Sequence, residues 1–141
     1  MMKLIAASLG LVLASSAWAQ LLEQLPRRAC SQKAAEVAKE RDVVFSPDTK
    51  FIFNYESHYN SRLKKCFLLE ITMMIDRDGE TKLMLLRDLF EKEDLGPYAG
   101  LVKKSDSDPS QCLVVLLDPV QQKRCASEEE WRALIKPYME D

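Results

Sequence analysis

Four cysteines, one histidine and a few acidic side chains are the residues of this chain whose types and spacing invite chemistry. The cysteines stand at 30, 66, 112 and 125, separated by 36, 46 and 13 residues. Zinc sites draw Cys and His ligands from tightly spaced pairs such as C-x-x-C. No such pair exists and His58 is the single histidine, so the spacing argues against zinc. A nucleophilic or redox-active thiol must be free and held as thiolate by a cationic setting. Neither a C-x-x-C pair nor a helix N-terminal Cys beside basic partners stands out, except for Arg27 and Arg28 before Cys30. In an exported chain an even cysteine count reads as disulfides, here two, with three possible pairings. Four buried free thiols are the competing arrangement.

His58 sits in Glu56-Ser57-His58-Tyr59-Asn60. A small hydrolase would use it as general base with Glu56 or Tyr59 beside it and Glu70 across a cleft. Strand alternation places Glu56 and His58 together on the side away from the core. A polar strand end with His58 hydrogen-bonded locally explains the same residues. Asp76-Arg77-Asp78-Gly79-Glu80 and Asp106-Ser107-Asp108 invite calcium, but acidic residues do not stand at alternate positions 1, 3 and 5 before the Gly as in an EF-hand loop. A tight hairpin and a solvated loop account for both. Phosphate-binding glycine loops, H-E-x-x-H and G-x-S-x-G are all absent. The sequence therefore predicts no catalytic, cofactor or metal site. Tyr55, Tyr59, Tyr98 and Tyr138 fit either an aromatic binding surface or ordinary packing. A net charge of −2 gives no electrostatic reason for nucleic-acid binding, and the pairs Lys64-Lys65 and Lys103-Lys104 are too short to be a nucleic-acid or membrane footprint.

These residues must be held by elements, and the first segment is not one of them. Met1-Met2-Lys3 supplies a positive start, Leu4–Leu13 is mostly apolar, and Ala17-Trp18-Ala19 has small residues around a large one. That is a secretory signal layout, with cleavage expected after Ala19. The stretch is too short and too often broken by serine for a membrane anchor, which needs roughly 20 apolar residues. Residues 20–141 are then a single domain, with no later stretch able to cross a membrane, soluble in the periplasm or outside the cell.

An amphipathic helix over 29–41 puts Cys30, Ala34, Val37, Ala38 and Arg41 on one stripe. Ser46-Pro47-Asp48 punctuates the chain. Strands follow over 51–56 and 67–75, the second alternating through Phe67, Leu69, Ile71, Met73 and Ile75. A three-residue turn of Arg77, Asp78 and Gly79 would pair Asp76 with Glu80, and place Met73 opposite Leu83 and Ile71 opposite Leu85. The facing carboxylates disfavour that turn and leave room for a longer one. Leu86, Leu89 and Phe90 predict a short helix, and Gly96-Pro97, Gly100 and residues 103–110 a loop. A hairpin centred on the Asp118-Pro119 bond puts Cys112 opposite Cys125, close enough to bridge. Cys30 then pairs with Cys66 by elimination. Ser127 caps a final helix, Glu130 completes a capping box, and Trp131, Leu134, Ile135 and Tyr138 form its buried stripe, with Pro137 in its last turn. The order predicts an α+β domain, an antiparallel sheet of about 4–5 strands packed on one face by N-terminal and C-terminal helices.

Ser57-His58-Tyr59-Asn60 through Lys65-Cys66-Phe67, Cys125-x-Ser127-Glu128-Glu129-Glu130-Trp131 and Lys136-Pro137-Tyr138-Met139-Glu140 together resemble a pattern in small exported bacterial domains of unknown function. The resemblance covers roughly residues 30–141 and implies one exported, cysteine-containing domain. It brings no activity. Two functions are compatible with these residues: a non-catalytic exported protein that binds a protein or cell-envelope component, or a small hydrolase built on His58 with Glu56 and Glu70.

Overall fold

The structure, a computed structural model, describes residues 10–41, 48–101, 111–117 and 120–141, with the first helix's side chains from residue 24 onward. Its elements are α1 (Gly10–Glu40), β1 (Lys50–Asn60), β2 (Lys65–Ile75), β3 (Glu80–Asp88), β4 (Glu93–Leu101), β5 (Gln111–Leu117), β6 (Val120–Arg124) and α2 (Glu128–Met139). Each strand pairs antiparallel with its neighbours in sequence, giving one sheet in the order β1-β2-β3-β4-β5-β6. The fold is α+β, with six strands among the described residues rather than four or five. No helix among the described residues is long and apolar enough to cross a membrane.

The helices pack on opposite faces of the sheet, not on one. Successive side chains of a strand point to opposite faces, and β2 is buried on both from Cys66 to Glu70. Phe67 and Leu69 meet Trp131, Ile135 and Tyr138 of α2, together with Met84, Leu86, Leu95 and Val114. Cys66 and Leu68 meet Cys30 and Ala34 of α1, with Leu89. Burying each large apolar side chain is worth about 1.5–3 kcal/mol. The stripe expected on the first helix is the buried one, Cys30 and Ala34 being almost fully enclosed. That helix is longer than its apolar stripe: it starts at Gly10 and runs through Pro26. The position expected for cleavage, after Ala19, falls within it.

Both disulfides are present in the expected pairing. Cys30–Cys66 joins α1 to β2 with Cα atoms 5.4 Å apart. Cys112–Cys125 closes the β5–β6 hairpin at a Cα separation of 5.1 Å. The register from Leu113↔Arg124 to Leu117↔Val120 leads directly to that bridge, and Cys125 N–H donates to the Cys112 carbonyl at 3.2 Å. The turn residues Asp118 and Pro119 lie outside the described residues. So do Ser46, Pro47, the 103–110 loop and its Asp106-Ser107-Asp108.

Three local expectations are corrected. The β2–β3 turn has four residues, Ile75 pairing with Glu80, so Ile71 faces Met84 and Met73 faces Lys82. Asp76 Oδ1 accepts from the N–H groups of Asp78 and Gly79 at 2.9 and 3.0 Å, which closes the longer turn and removes the facing carboxylates. Gly79 takes φ 149°, a region that glycine alone enters freely. The helix expected around Leu86–Phe90 is instead the end of β3 and a turn over residues 89–92. The expected loop at Gly96-Pro97 and Gly100 is β4. β3 is central and half or fully buried on both faces, so its apolar run lacks alternation and imitates a helix. A register shift at Leu86/Arg87 makes Leu95 an extra residue in β4. The bulge directs Leu95 into the core under α2, where it is 2% exposed.

α2 begins as its sequence implies. Ser127 Oγ accepts from Glu130 N–H at 3.1 Å, and Glu130 Oε2 accepts from Ala126 N–H at 2.7 Å. Its other end is held by a side chain from across the sheet. Asn60, fully buried at the end of β1, donates through Nδ2 to the carbonyls of Pro137 at 2.9 Å and Glu140 at 3.0 Å. Its Oδ1 accepts from Leu63 N–H at 2.9 Å. The Ser-His-Tyr-Asn and Lys-Pro-Tyr-Met-Glu segments thus meet in space.

Candidate functional site

The acid–base residues named from sequence do not form one site. Glu56 pairs with Leu69 and His58 with Phe67, which puts both on the α2 face. That face carries the core under α2, so it is not the side away from the core. Glu70 pairs with Tyr55 and points to the opposite face. A cleft containing His58 and Glu70 together is therefore excluded by the pleat.

His58 is half-buried, and its Nε2 makes no hydrogen bond. Asp141 Oδ1 is 3.5 Å away. Asp141 is itself occupied: it accepts from Ser61 N–H at 2.8 Å and Ser61 Oγ at 3.0 Å, and pairs with Arg27 at 2.9 Å. The Ser61 backbone N–H, with the Ser61 hydroxyl and the His58 and Arg27 charges, holds the Asp141 carboxyl below the ordinary range. This cluster ties α1, the β1–β2 turn and the residues after α2 together. Tyr59 faces the α1 side with Cys66 and cannot assist Glu56. Tyr98 and Tyr138 are core residues, Tyr138 Oη accepting from Leu117 N–H at 3.0 Å. Burial, and then the nearby Glu128 charge, push the Tyr98 phenol upward. Of the four tyrosines Tyr55 alone is exposed.

The concentration of unusual chemistry lies on the α1 face, beyond the part that the helix covers. There Thr72 of β2, Leu83 and Leu85 of β3, and Pro97 and Ala99 of β4 line an open groove of about 280 Å³. Glu70 lies in this groove at 4% exposure, with Arg41 from the end of α1 at 2.8 Å. Arg87 approaches Glu70 Oε1 only to 3.8 Å, because Asp94 holds its Nε at 2.7 Å. Glu70 Oε1 is left buried with no hydrogen bond. Burying a carboxylate oxygen without a donor is costly, by roughly 1–3 kcal/mol or more for a charged group. Such an atom, in a mostly apolar concavity, is a ready acceptor for an incoming N–H or O–H.

Sequence reasoning singled out Glu70 and put Arg41 on the right helical stripe, but assigned neither to this groove. Arg87 and Pro97 were hidden by the misread helix and loop, and Leu85 by the one-residue slip that set it opposite Ile71 instead of Glu70. The available signal was a carboxylate inside Phe67-Leu68-Leu69-Glu70-Ile71, an apolar run that only a strand buried on both faces explains. The other buried carboxylate among the described residues is structural. Asp88 pairs with Lys65, and its Oδ1 accepts from Phe90 N–H at 3.0 Å to shape the β3–β4 turn. Cys30, Cys66, Cys112 and Cys125 are all bridged, leaving no free thiol. Compared with protein-family models, curated proteins and solved structures, the chain matches none.

Proposed function

We propose that the chain is an exported, non-catalytic binding or accessory protein, and that the open α1 face around Glu70 takes hold of a protein partner. The observation that carries this reading is Glu70 Oε1, buried and without a donor beside the Leu83, Leu85 and Pro97 walls. A partner segment presenting an apolar side chain beside an N–H group would satisfy both features. Two disulfides support an oxidising compartment, in keeping with the signal-like start. The separation of Glu70 from His58 and Glu56 weighs against the hydrolase alternative.

The test uses photo-crosslinking in cells that produce the protein, with a benzophenone side chain at Leu83 and, as control, at Val120 on the far edge. A discrete adduct from position 83, absent from position 120 and abolished by Leu85→Glu, supports the reading. Equal adducts from both positions, or none from position 83, would overturn it. So would turnover in a hydrolase screen that is lost in His58→Ala.

A further inference from the structure

The two edges of the sheet are unlike. β6 has five residues, all exposed, and includes Lys123 and Arg124. Short length and charge discourage another strand from pairing there. Among the described residues β1 is the other edge, eleven residues long. Its outer half exposes Phe51, Ile52 and Tyr55 by 40%, 44% and 38%. A long apolar edge of this kind is a template for strand addition.

The backbone determines which groups are on offer. Tyr55 N–H donates to its neighbour Asn54 Oδ1 at 3.0 Å, not to β2. In an antiparallel strand a residue turns its N–H and C=O to the same side, and successive residues alternate. Phe51, Phe53 and Tyr55 therefore present their main-chain groups outward, while Lys50, Ile52, Asn54 and Glu56 use theirs on β2. The Asn54 amide serves as a local stand-in for a missing strand.

A second copy of β1 would supply that strand. Run antiparallel about a two-fold axis at Phe53, it sets Phe53 against the partner's Phe53 and Phe51 against the partner's Tyr55. Every one of these positions then exchanges two hydrogen bonds. In the same alignment Lys50 faces the partner's Glu56, and Glu56 the partner's Lys50. These are the only charges between residues 50 and 57, and neither is engaged among the described residues. Moving the axis to Ile52 or Asn54 keeps the outward groups matched but faces Lys50 with the partner's Asn54, or Glu56 with the partner's Ile52. The rings of Phe53 and Tyr55, stacked at 6.3 Å, would continue into the partner's rings on the α1 face. We infer that β1 is the interface of a symmetric dimer, its charges selecting the register and its aromatic side chains forming the apolar contact.

Sedimentation equilibrium over a range of concentrations tests this, on protein exported by an expression host and with its N-terminus read by mass spectrometry. Wild type should fit a monomer–dimer equilibrium. Glu56→Lys sets like charges opposite each other twice and should raise the dissociation constant about tenfold. Lys50→Glu combined with Glu56→Lys should restore it, a rescue specific to the register through Phe53. Phe53→Pro removes an outward N–H that β2 does not use, and should leave a monomer whose circular dichroism matches wild type. A wild type that stays monomeric at every concentration, a dimer indifferent to Phe53→Pro, or a double charge reversal that fails to rescue would each overturn the inference.

Discussion

Replacing Asn60 by alanine should detach the end of α2 from the sheet. The side chain is fully buried and makes three well-placed hydrogen bonds, at 2.9 Å to Pro137 O, 3.0 Å to Glu140 O and 2.9 Å from Leu63 N–H. Each is worth about 1 kcal/mol net, with a further penalty where a buried partner is left unsatisfied. Pro137 O keeps a contact with the Arg62 guanidinium at 3.3 Å, and Glu140 is exposed enough to find water. The expected loss is about 2–4 kcal/mol, measured as a shift of the urea midpoint at unchanged slope. Asn60→Asp separates the hydrogen bonds from the packing. It retains the acceptor for Leu63 N–H but turns a carboxylate oxygen toward two carbonyls, so at neutral pH it should cost at least as much as alanine. Below the pH at which that carboxyl protonates it regains a donor, and the gap to wild type should narrow. A loss under about 1 kcal/mol for alanine, or an Asp variant equal to wild type at neutral pH, would refute the clasp.

Cys112→Ser should lower stability by about 2–5 kcal/mol and loosen the start of α2 behind it. Thiol titration of the denatured wild type should find none without reductant, and four would overturn both bridges. Gly96→Ala would place its Cβ 2.2 Å from Leu113 O and 2.8 Å from Val114 Cα, both backbone atoms. β4 and β5 must then part, at a cost of about 3 kcal/mol in thermal unfolding, the upper end for an overpacked interior. Burial alone would raise Glu128, but hydrogen bonds from Lys82 at 2.6 Å and Arg132 at 2.8 Å outweigh it and hold its carboxyl below the usual range. A carboxyl depressed by folding stabilises fully above its unfolded pKa, and that contribution disappears as pH falls through the lowered folded value. Stability should therefore decline below about pH 4.5, the unfolded glutamate value. Glu128→Gln should decline less steeply in an acid titration followed by circular dichroism.

The parts of the fold legible in the sequence are those where one local rule acts alone. The β5–β6 hairpin followed from the spacing of Cys112 and Cys125 about Asp118-Pro119, and the α2 start from Ser127 and Glu130. The centre of the sheet was not legible, because its punctuation is inverted. The β1–β2 and β3–β4 turns place Lys64 and Lys92 at φ 53° and 58°, where a glycine would have announced a turn. The glycines Gly96 and Gly100 instead lie inside β4. Gly96 is there because the β5 backbone comes too close for any side chain. The groove inherits this difficulty. Glu70 was visible as a carboxylate in an apolar run, but its neighbours across the sheet depend on a register that one residue of turn length decides, and such a slip moves every side chain to the other face.

The order of the two bridges along the chain bears on how the protein acquires them. Cys30–Cys66 is complete before Cys112 is reached, so the loops neither cross nor nest. A chain entering an oxidant N-terminus first presents Cys30 and Cys66 to each other while the remaining thiols are still behind. Cys112 and Cys125 then meet within a single hairpin, a structure that forms in about 1–10 μs, and their oxidation requires no reshuffling of an earlier bridge. Simple consecutive oxidation thus yields the native pairing, and neither of the other two pairings need form on the way. Oxidative refolding of the full-length denatured chain loses that sequence of events, and it is there that an isomerase should speed recovery.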